Sequence, residues 1–171
     1  FQKMLESVKD KNERKVMLAG KVEDMINTVI RQIAFYDFEC KLHDARCQGE
    51  LTPDDINAIW MSVQGESLGP AFEFMKGYET FWAYIPHFVH SPFYVYAYAF
   101  GDGLVNALYA VYQDNSEGFQ EKYFTMLKAG GSMHHKDLLT PFGLDASDPK
   151  FWDKGLSMIA SLIDELEAME E

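Results

Sequence analysis

The densest concentration of side chains able to do chemistry is residues 84–98, Tyr84-Ile85-Pro86-His87-Phe88-Val89-His90-Ser91-Pro92-Phe93-Tyr94-Val95-Tyr96-Ala97-Tyr98. His87 and His90 precede a Ser-Pro pair, and Tyr94, Tyr96 and Tyr98 follow it at alternate positions. Imidazole and phenol both donate hydrogen bonds to a developing negative charge without carrying negative charge themselves. Leu or Phe would fill a core without polar atoms to satisfy, whereas a buried hydroxyl left unpaired costs about 1–3 kcal/mol. The grouping therefore points to a polar-lined cavity. An aromatic core with satisfied hydroxyls is the competing reading. A helix starting at Ser91-Pro92 would put Tyr94 and Tyr98 on one face and Tyr96 away from it.

Other candidates are thinner. Cys40, His43 and Cys47 fall at i, i+3 and i+7 on one helix face. A zinc site needs four ligands, and structural ones favour paired cysteine spacings. The two cysteines read as buried or half-buried free thiols in a reducing, cytoplasmic compartment. His134-His135 follow Gly130-Gly131-Ser132 with no carboxylate pattern beside them, and are expected to point apart on the surface. Ser132 has no evident base partner. The sequence holds no His-Glu-x-x-His, no glycine-rich phosphate loop and no Gly-x-Ser-x-Gly, so it does not read as a complete enzyme by itself.

The elements that must position these groups are helices. Residues 1–18 carry apolar positions at helix spacing around a charged middle, which predicts a turn or solvated helix end there. Val22, Met25, Ile26, Val29, Ile30 and Ile33 step by three and four, predicting one amphipathic helix from Lys21 to about Arg46. Thr52-Pro53-Asp54-Asp55 is a helix start: a capping hydroxyl, a proline at the first position, and two carboxylates at the positive end of the dipole. Gly65 to Pro70 is expected to end that helix. Ser91-Pro92 reads as another start. Residues 117–129 form a short helix closed by Gly130-Gly131, and residues 137–139 a single turn. Asp148-Pro149 opens the last helix, with Phe151, Trp152, Leu156, Ile159, Ile163 and Leu166 inward. Its acidic tail, residues 164–171, is expected to be solvated. Period-two alternation at residues 94–98 leaves a strand as the lesser alternative there. The fold class is all-α, a multi-helix bundle forming one helical unit over residues 1–171.

Composition bounds the partners. The 171 residues carry 27 acidic against 15 basic side chains, a formal charge of −12. Such a chain repels phosphate backbones and anionic lipid, which argues against nucleic acid and membrane surfaces as partners. Apolar residues make up 47%, enough for a packed core. Within residues 81–113 Asp102 is the one formally charged side chain, yet two prolines and six tyrosines argue for a buried helix over a membrane span. The opening Phe1, Met4, Leu5 and Val8 start in mid-pattern. The expectation is a fragment whose N-terminal part is missing.

The stretch Ile85-Pro86-His87-Phe88 with Ser91-Pro92-Phe93-Tyr94-Val95-Tyr96-Ala97-Tyr98-Ala99-Phe100-Gly101 resembles the signature near the C-terminus of oligoendopeptidase F, a group of thimet-oligopeptidase-like zinc metallopeptidases. Arg31-Gln32-Ile33-Ala34-Phe35-Tyr36-Asp37-Phe38-Glu39 resembles the helix after that family's metal site. Gly49-Glu50-Leu51-Thr52 resembles the next turn. Leu127-Lys128-Ala129-Gly130-Gly131-Ser132, Gly143-Leu144-Asp145 and Asp148-Pro149-Lys150-Phe151-Trp152 resemble its closing segment. The resemblance runs through the whole chain in order.

It implies the C-terminal part of a helical catalytic domain, with the His-Glu-x-x-His helix and the later glutamate ligand just upstream of Phe1. Glu6 does not match the ligand motif, so no metal ligand is assigned in this chain. The implied activity is hydrolysis of short peptides. Zinc, with ligands outside this chain, and a glutamate base activate the water. Histidine and tyrosine of this segment hold the peptide backbone and the oxyanion. His87, His90, Tyr94 and Tyr96 are the implied catalytic residues, and Tyr84 and Tyr98 the substrate-binding ones. Val89 stands where some relatives are expected to carry an aromatic residue. Gly101 and Gly103 are assigned to helix packing. The fragment alone is expected to be inactive, and apolar surface left by the missing part would favour its self-association. The alternative is a non-catalytic helical module binding a hydrophobic ligand or partner helix. A Cys/His metal sensor resting on Cys40, His43 and Cys47 is a third.

Overall fold

The computed structural model describes residues 1–169, the side chain of Lys154 excepted. Its helices are α1 (Gln2–Ser7), α2 (Lys11–Thr28), α3 (Ile30–Gln48), α4 (Pro53–Leu68), α5 (His87–His90), α6 (Tyr96–Asp114), α7 (Phe119–Ala129), α8 (His135–Leu139) and α9 (Pro149–Glu167), with a 3₁₀ segment at Tyr78–Tyr84. No strand occurs among the described residues, so the fold is all-α and residues 94–98 are not one. None of these helices is long and apolar enough to cross a membrane. The expectation for Glu170 and Glu171 lies outside the described residues.

Local chemistry explains the boundaries. The Asp10 carboxylate accepts the amides of Asn12 and Glu13, both at 2.9 Å, and opens α2 after the charged break. The expected helix from Lys21 to Arg46 is two helices, interrupted at Val29 (φ −101°, ψ −69°), a break with no proline or glycine to announce it. At Thr52 the full capping box forms: its hydroxyl accepts from the Asp55 amide while the Asp55 side chain accepts from the Thr52 amide. Gly65 stays within α4, and the helix ends at Gly69, whose φ of +67° turns the chain. Ser91-Pro92 does not start a helix. Phe93 has φ +60°, outside the helical region, so residues 91–94 form a turn and α6 begins at Tyr96. Asp148 caps α9 by accepting from the Lys150 amide. On α9 Phe151, Ile159 and Leu162 are buried, whereas Leu156 is exposed, which corrects the expected inner face.

The chain divides into two compact units, with boundaries inside α2 and α6. The unit Ile26–Phe100 is built on α3 and α4. Its core is Ala34, Phe35, Phe38, Trp60, Val63 and Val95. Phe38 meets Trp60 edge-on at 5.2 Å, and burying each such ring contributes about 1.5–3 kcal/mol. The other unit takes Phe1–Met25 and the chain from Gly101 onward. Ala107 and Leu108 of α6 pack there with Leu139, Phe142, Leu144 and Phe151. Gly103 and Gly155 let α6 and α9 approach closely: a Cβ on Gly155 would lie 3.4 Å from the Gly103 Cα. Arg14 of α2 pairs with Glu165 of α9.

Candidate active site

The segment carrying the histidines is pinned to α4 by three side-chain hydrogen bonds. Trp60 Nε1 donates to the Tyr78 carbonyl at 3.0 Å, the Tyr78 hydroxyl donates to Gln64 Oε1 at 3.0 Å, and Trp82 Nε1 donates to Asn57 Oδ1 at 2.8 Å. Burial pushes the Tyr78 phenol up, against the opposing field of Arg31, so it stays a donor. Pro86 then starts α5. Phe88 drives into the core against Phe35, Phe38 and Trp60, at 5.6, 5.0 and 6.3 Å between ring centres. With Phe88 inward, His87 is left at the surface of this unit, half-buried.

The same logic orders the tyrosines. Val95 and Ala99 are buried, at 1% and 8% exposure, while Tyr94, Tyr96 and Tyr98 between and beside them are 52%, 52% and 41% exposed. The phenols are therefore not sealed into dry packing.

Three of the six expected site residues come together. His87 Nε2 lies 3.0 Å from the Tyr98 hydroxyl. With the ring proton on Nδ1 the phenol donates to Nε2; with it on Nε2 the imidazole donates. The His87 and Tyr94 rings lie parallel at 6.3 Å, and Tyr94 meets Tyr98 edge-on at 5.7 Å. Tyr94 and Tyr98 share a face as expected, although Tyr94 sits in the turn before α6. Tyr96 instead meets Tyr36 of α3 edge-on at 5.8 Å. A hydrogen bond with Cys40, and next the field of that thiol, push the Tyr36 phenol up. Tyr84 packs on Phe81 at 5.6 Å and is 78% exposed. His90 ends α5 and is exposed. The remaining three are thus neighbours in sequence, separate from the His87–Tyr94–Tyr98 group.

The weaker motifs resolve into structural roles. Cys40 and Cys47 are free, Cys40 half-buried but Cys47 exposed rather than covered. The His43 ring packs on Phe93 at 4.7 Å. His134 and His135 do not point apart: their rings lie 4.1 Å from each other, and His134 Nδ1 accepts the Lys136 amide to cap α8. Among the described residues no group of three or more His, Cys, Asp or Glu could hold a metal ion. What His87, Tyr94 and Tyr98 have in common is the capacity to hydrogen-bond.

One residue escaped the sequence reading. Glu39 is 1% exposed, and its Oε1 accepts the Phe93 amide at 2.8 Å. The signal was present: Glu39 lies four residues after Phe35 and one after Phe38, a charge inside the apolar stripe of α3. Phe93 is the one described non-glycine residue with positive φ, a conformation costing about 1–3 kcal/mol that surroundings must hold.

The all-α unit thus presents an imidazole and two phenols together, each able to hydrogen-bond. Peptidase family M3 is the family whose model matches, over residues 2–158, and the chain belongs to this family. The chain is 29% identical over 167 residues to Oligopeptidase PepF of Bacillus subtilis, covering 97% of the chain and 25% of that protein. It is 30% identical over 169 residues to the plasmid Oligoendopeptidase F of Lactococcus lactis subsp. cremoris, covering 98% of the chain and 28% of the relative. The crystal structure of oligoendopeptidase-F from Enterococcus faecium matches with a TM-score of 0.87 at 27% identity, over 98% of this chain and 32% of that one. The chain thus spans between a quarter and a third of the length of these proteins.

Proposed function

We propose that the chain is the C-terminal portion of the catalytic domain of a zinc-dependent, cytoplasmic oligoendopeptidase that hydrolyses short peptides. In this reading the zinc is held by residues outside this chain, and the chain contributes substrate-binding and oxyanion-stabilising groups. The observation that carries it is the accessible His87–Tyr94–Tyr98 cluster in a chain of family M3.

The arrangement of the side chains supports the following roles. Tyr94 is proposed as a donor to a peptide carbonyl or to the oxyanion formed from it; in support, its ring packs in the cluster while its surface stays open. His87 supplies a second donor, with its ring orientation set by the Tyr98 hydroxyl at 3.0 Å. Bonds from both donors strengthen as the carbonyl oxygen gains charge, which favours the transition state over bound substrate. His90 and Tyr96 are proposed as further backbone contacts, and Tyr84 as a substrate-binding ring. Nucleic acid and membrane have no place in this reading, and self-association of the isolated chain does.

A groove of about 680 Å³ between α6 and α7 favours a second reading, a module binding a hydrophobic ligand or partner helix. Tyr109, Tyr112, Phe119 and Phe124 line it. Incubating the full-length protein with short peptides decides between them. The peptidase reading expects cleavage that stops on chelation and returns with zinc. Binding of an apolar dye with no cleavage under any metal condition would sink it.

A further inference from the structure

We infer that Glu39 is a positioning residue for the candidate site, its buried carboxylate setting the turn that brings Tyr94 against His87 and Tyr98; this rests on the substrate-contacting role proposed above for Tyr94. Glu39 sits in the apolar stripe of α3 at 1% exposure, where Leu or Met would pack without a polar cost. Its Oε2 is buried with no hydrogen-bond partner among the described residues. A carboxylate kept half-satisfied in a core is a poor stabilising device. The one hydrogen bond it makes among the described residues therefore says what the group is for. That bond runs from the Phe93 amide to Oε1 at 2.8 Å.

Phe93 is where the chain needs holding. Its φ of +60° is one that a bulky L-residue leaves unless surroundings impose it. Helix α3 grips the residue twice: Glu39 takes its amide, while Tyr36 and His43 take its ring at 6.0 and 4.7 Å. The next residue is Tyr94, whose ring direction follows from the Phe93 peptide. Val95, buried at 1%, anchors the chain just beyond it in the core of this unit. Losing the Glu39 grip lets Phe93 relax toward negative φ, which swings Tyr94 off the His87–Tyr98 pair.

The test uses the full-length enzyme and four variants: Glu39→Gln, Glu39→Leu, Tyr94→Phe and the Glu39→Leu/Tyr94→Phe double. Glu39→Gln keeps an acceptor for the Phe93 amide and should hold kcat within about threefold. Glu39→Leu should lower kcat about 10²-fold with KM far less affected. In that background Tyr94→Phe should cost almost nothing more, because the phenol is already misplaced. A merely structural Glu39 would lower the yield of folded enzyme or Tm and leave the two losses multiplicative. Multiplicative losses, or a kcat unchanged in Glu39→Leu, overturn the inference. If Glu39→Leu does not fold, Glu39→Asp replaces it, with the carboxylate drawn back by one methylene. An unchanged kcat in Glu39→Asp likewise overturns the inference. A Tyr94→Phe enzyme with normal kcat overturns the underlying site reading instead, so the two failures are told apart.

Discussion

Alanine at Gly103 should destabilise the chain, even though Gly103 lies in the middle of α6. On an open helix face Gly→Ala is favourable by about 1 kcal/mol, from backbone entropy in the unfolded chain. Gly20 of α2 is such a site: a Cβ there meets nothing within 4 Å. A Cβ on Gly103 meets Trp152 Cζ3 at 2.9 Å and Cε3 at 3.0 Å. The indole cannot swing away freely. Its Nε1 donates to the Ala146 carbonyl at 3.1 Å, and its ring stands edge-on to Phe151 at 4.8 Å. Forcing such a contact costs about 1–3 kcal/mol, which outweighs the entropic gain. The net expectation is a loss of about 1 kcal/mol for Gly103→Ala, against a gain approaching 1 kcal/mol for Gly20→Ala. Thermal unfolding of the 171-residue chain reads both, since about 1 kcal/mol moves Tm by about 2–4 °C at this size. A Gly103→Ala chain that melts higher than the parent would refute the close packing of Trp152 on α6.

Further outcomes follow from the same geometry. Tyr98→Phe keeps the ring contacts with His87 and Tyr94 but removes the 3.0 Å hydroxyl bond. A typical hydrogen bond at a partly exposed position is worth about 0.5–1.5 kcal/mol, so kcat of the full-length enzyme should fall only about two- to tenfold. A loss as large as that of Tyr94→Phe would give the Tyr98 hydroxyl a part in oxyanion stabilisation rather than in orienting His87 alone. The Thr52 hydroxyl and amide donate to Asp55 at 2.7 and 2.8 Å and hold its carboxyl below the ordinary aspartate value. A depressed folded value stabilises above the unfolded one, near pH 3.9, and the benefit is lost as pH falls through the folded value. Asp55→Asn should therefore be less stable than the parent at neutral pH, with the gap in urea unfolding closing below about pH 4. A gap independent of pH would show that the cap does not depend on the Asp55 charge.

Where one local signal sufficed, the sequence was readable. Thr52-Pro53 and Asp148-Pro149 each combine a cap, a proline at the first position and a following apolar stripe, and both helices start there. The Tyr94–Tyr98 pairing was also legible, although a turn rather than helical periodicity produces it. Ser91-Pro92 carries the same local signal as Thr52-Pro53 and fails as a helix start. What overrides it is a hydrogen bond to Glu39, 54 positions away in sequence, holding Phe93 at positive φ. A glycine there would have announced the turn; a phenylalanine hides it. The break at Val29 was likewise invisible, because the apolar spacing runs through it unchanged. The separation of Tyr96 from the cluster was foreseen by helix geometry, but its seat on Tyr36 depends on how α3 lies in this unit.

The most direct measurement is kcat of full-length Tyr94→Phe and His87→Ala enzymes on a short peptide, with bound zinc quantified in the same samples. Turnover should be lower by about 10²–10³ in each with the zinc retained, if these two side chains stabilise the oxyanion. Near-parental turnover in both, at full zinc occupancy, would contradict that role.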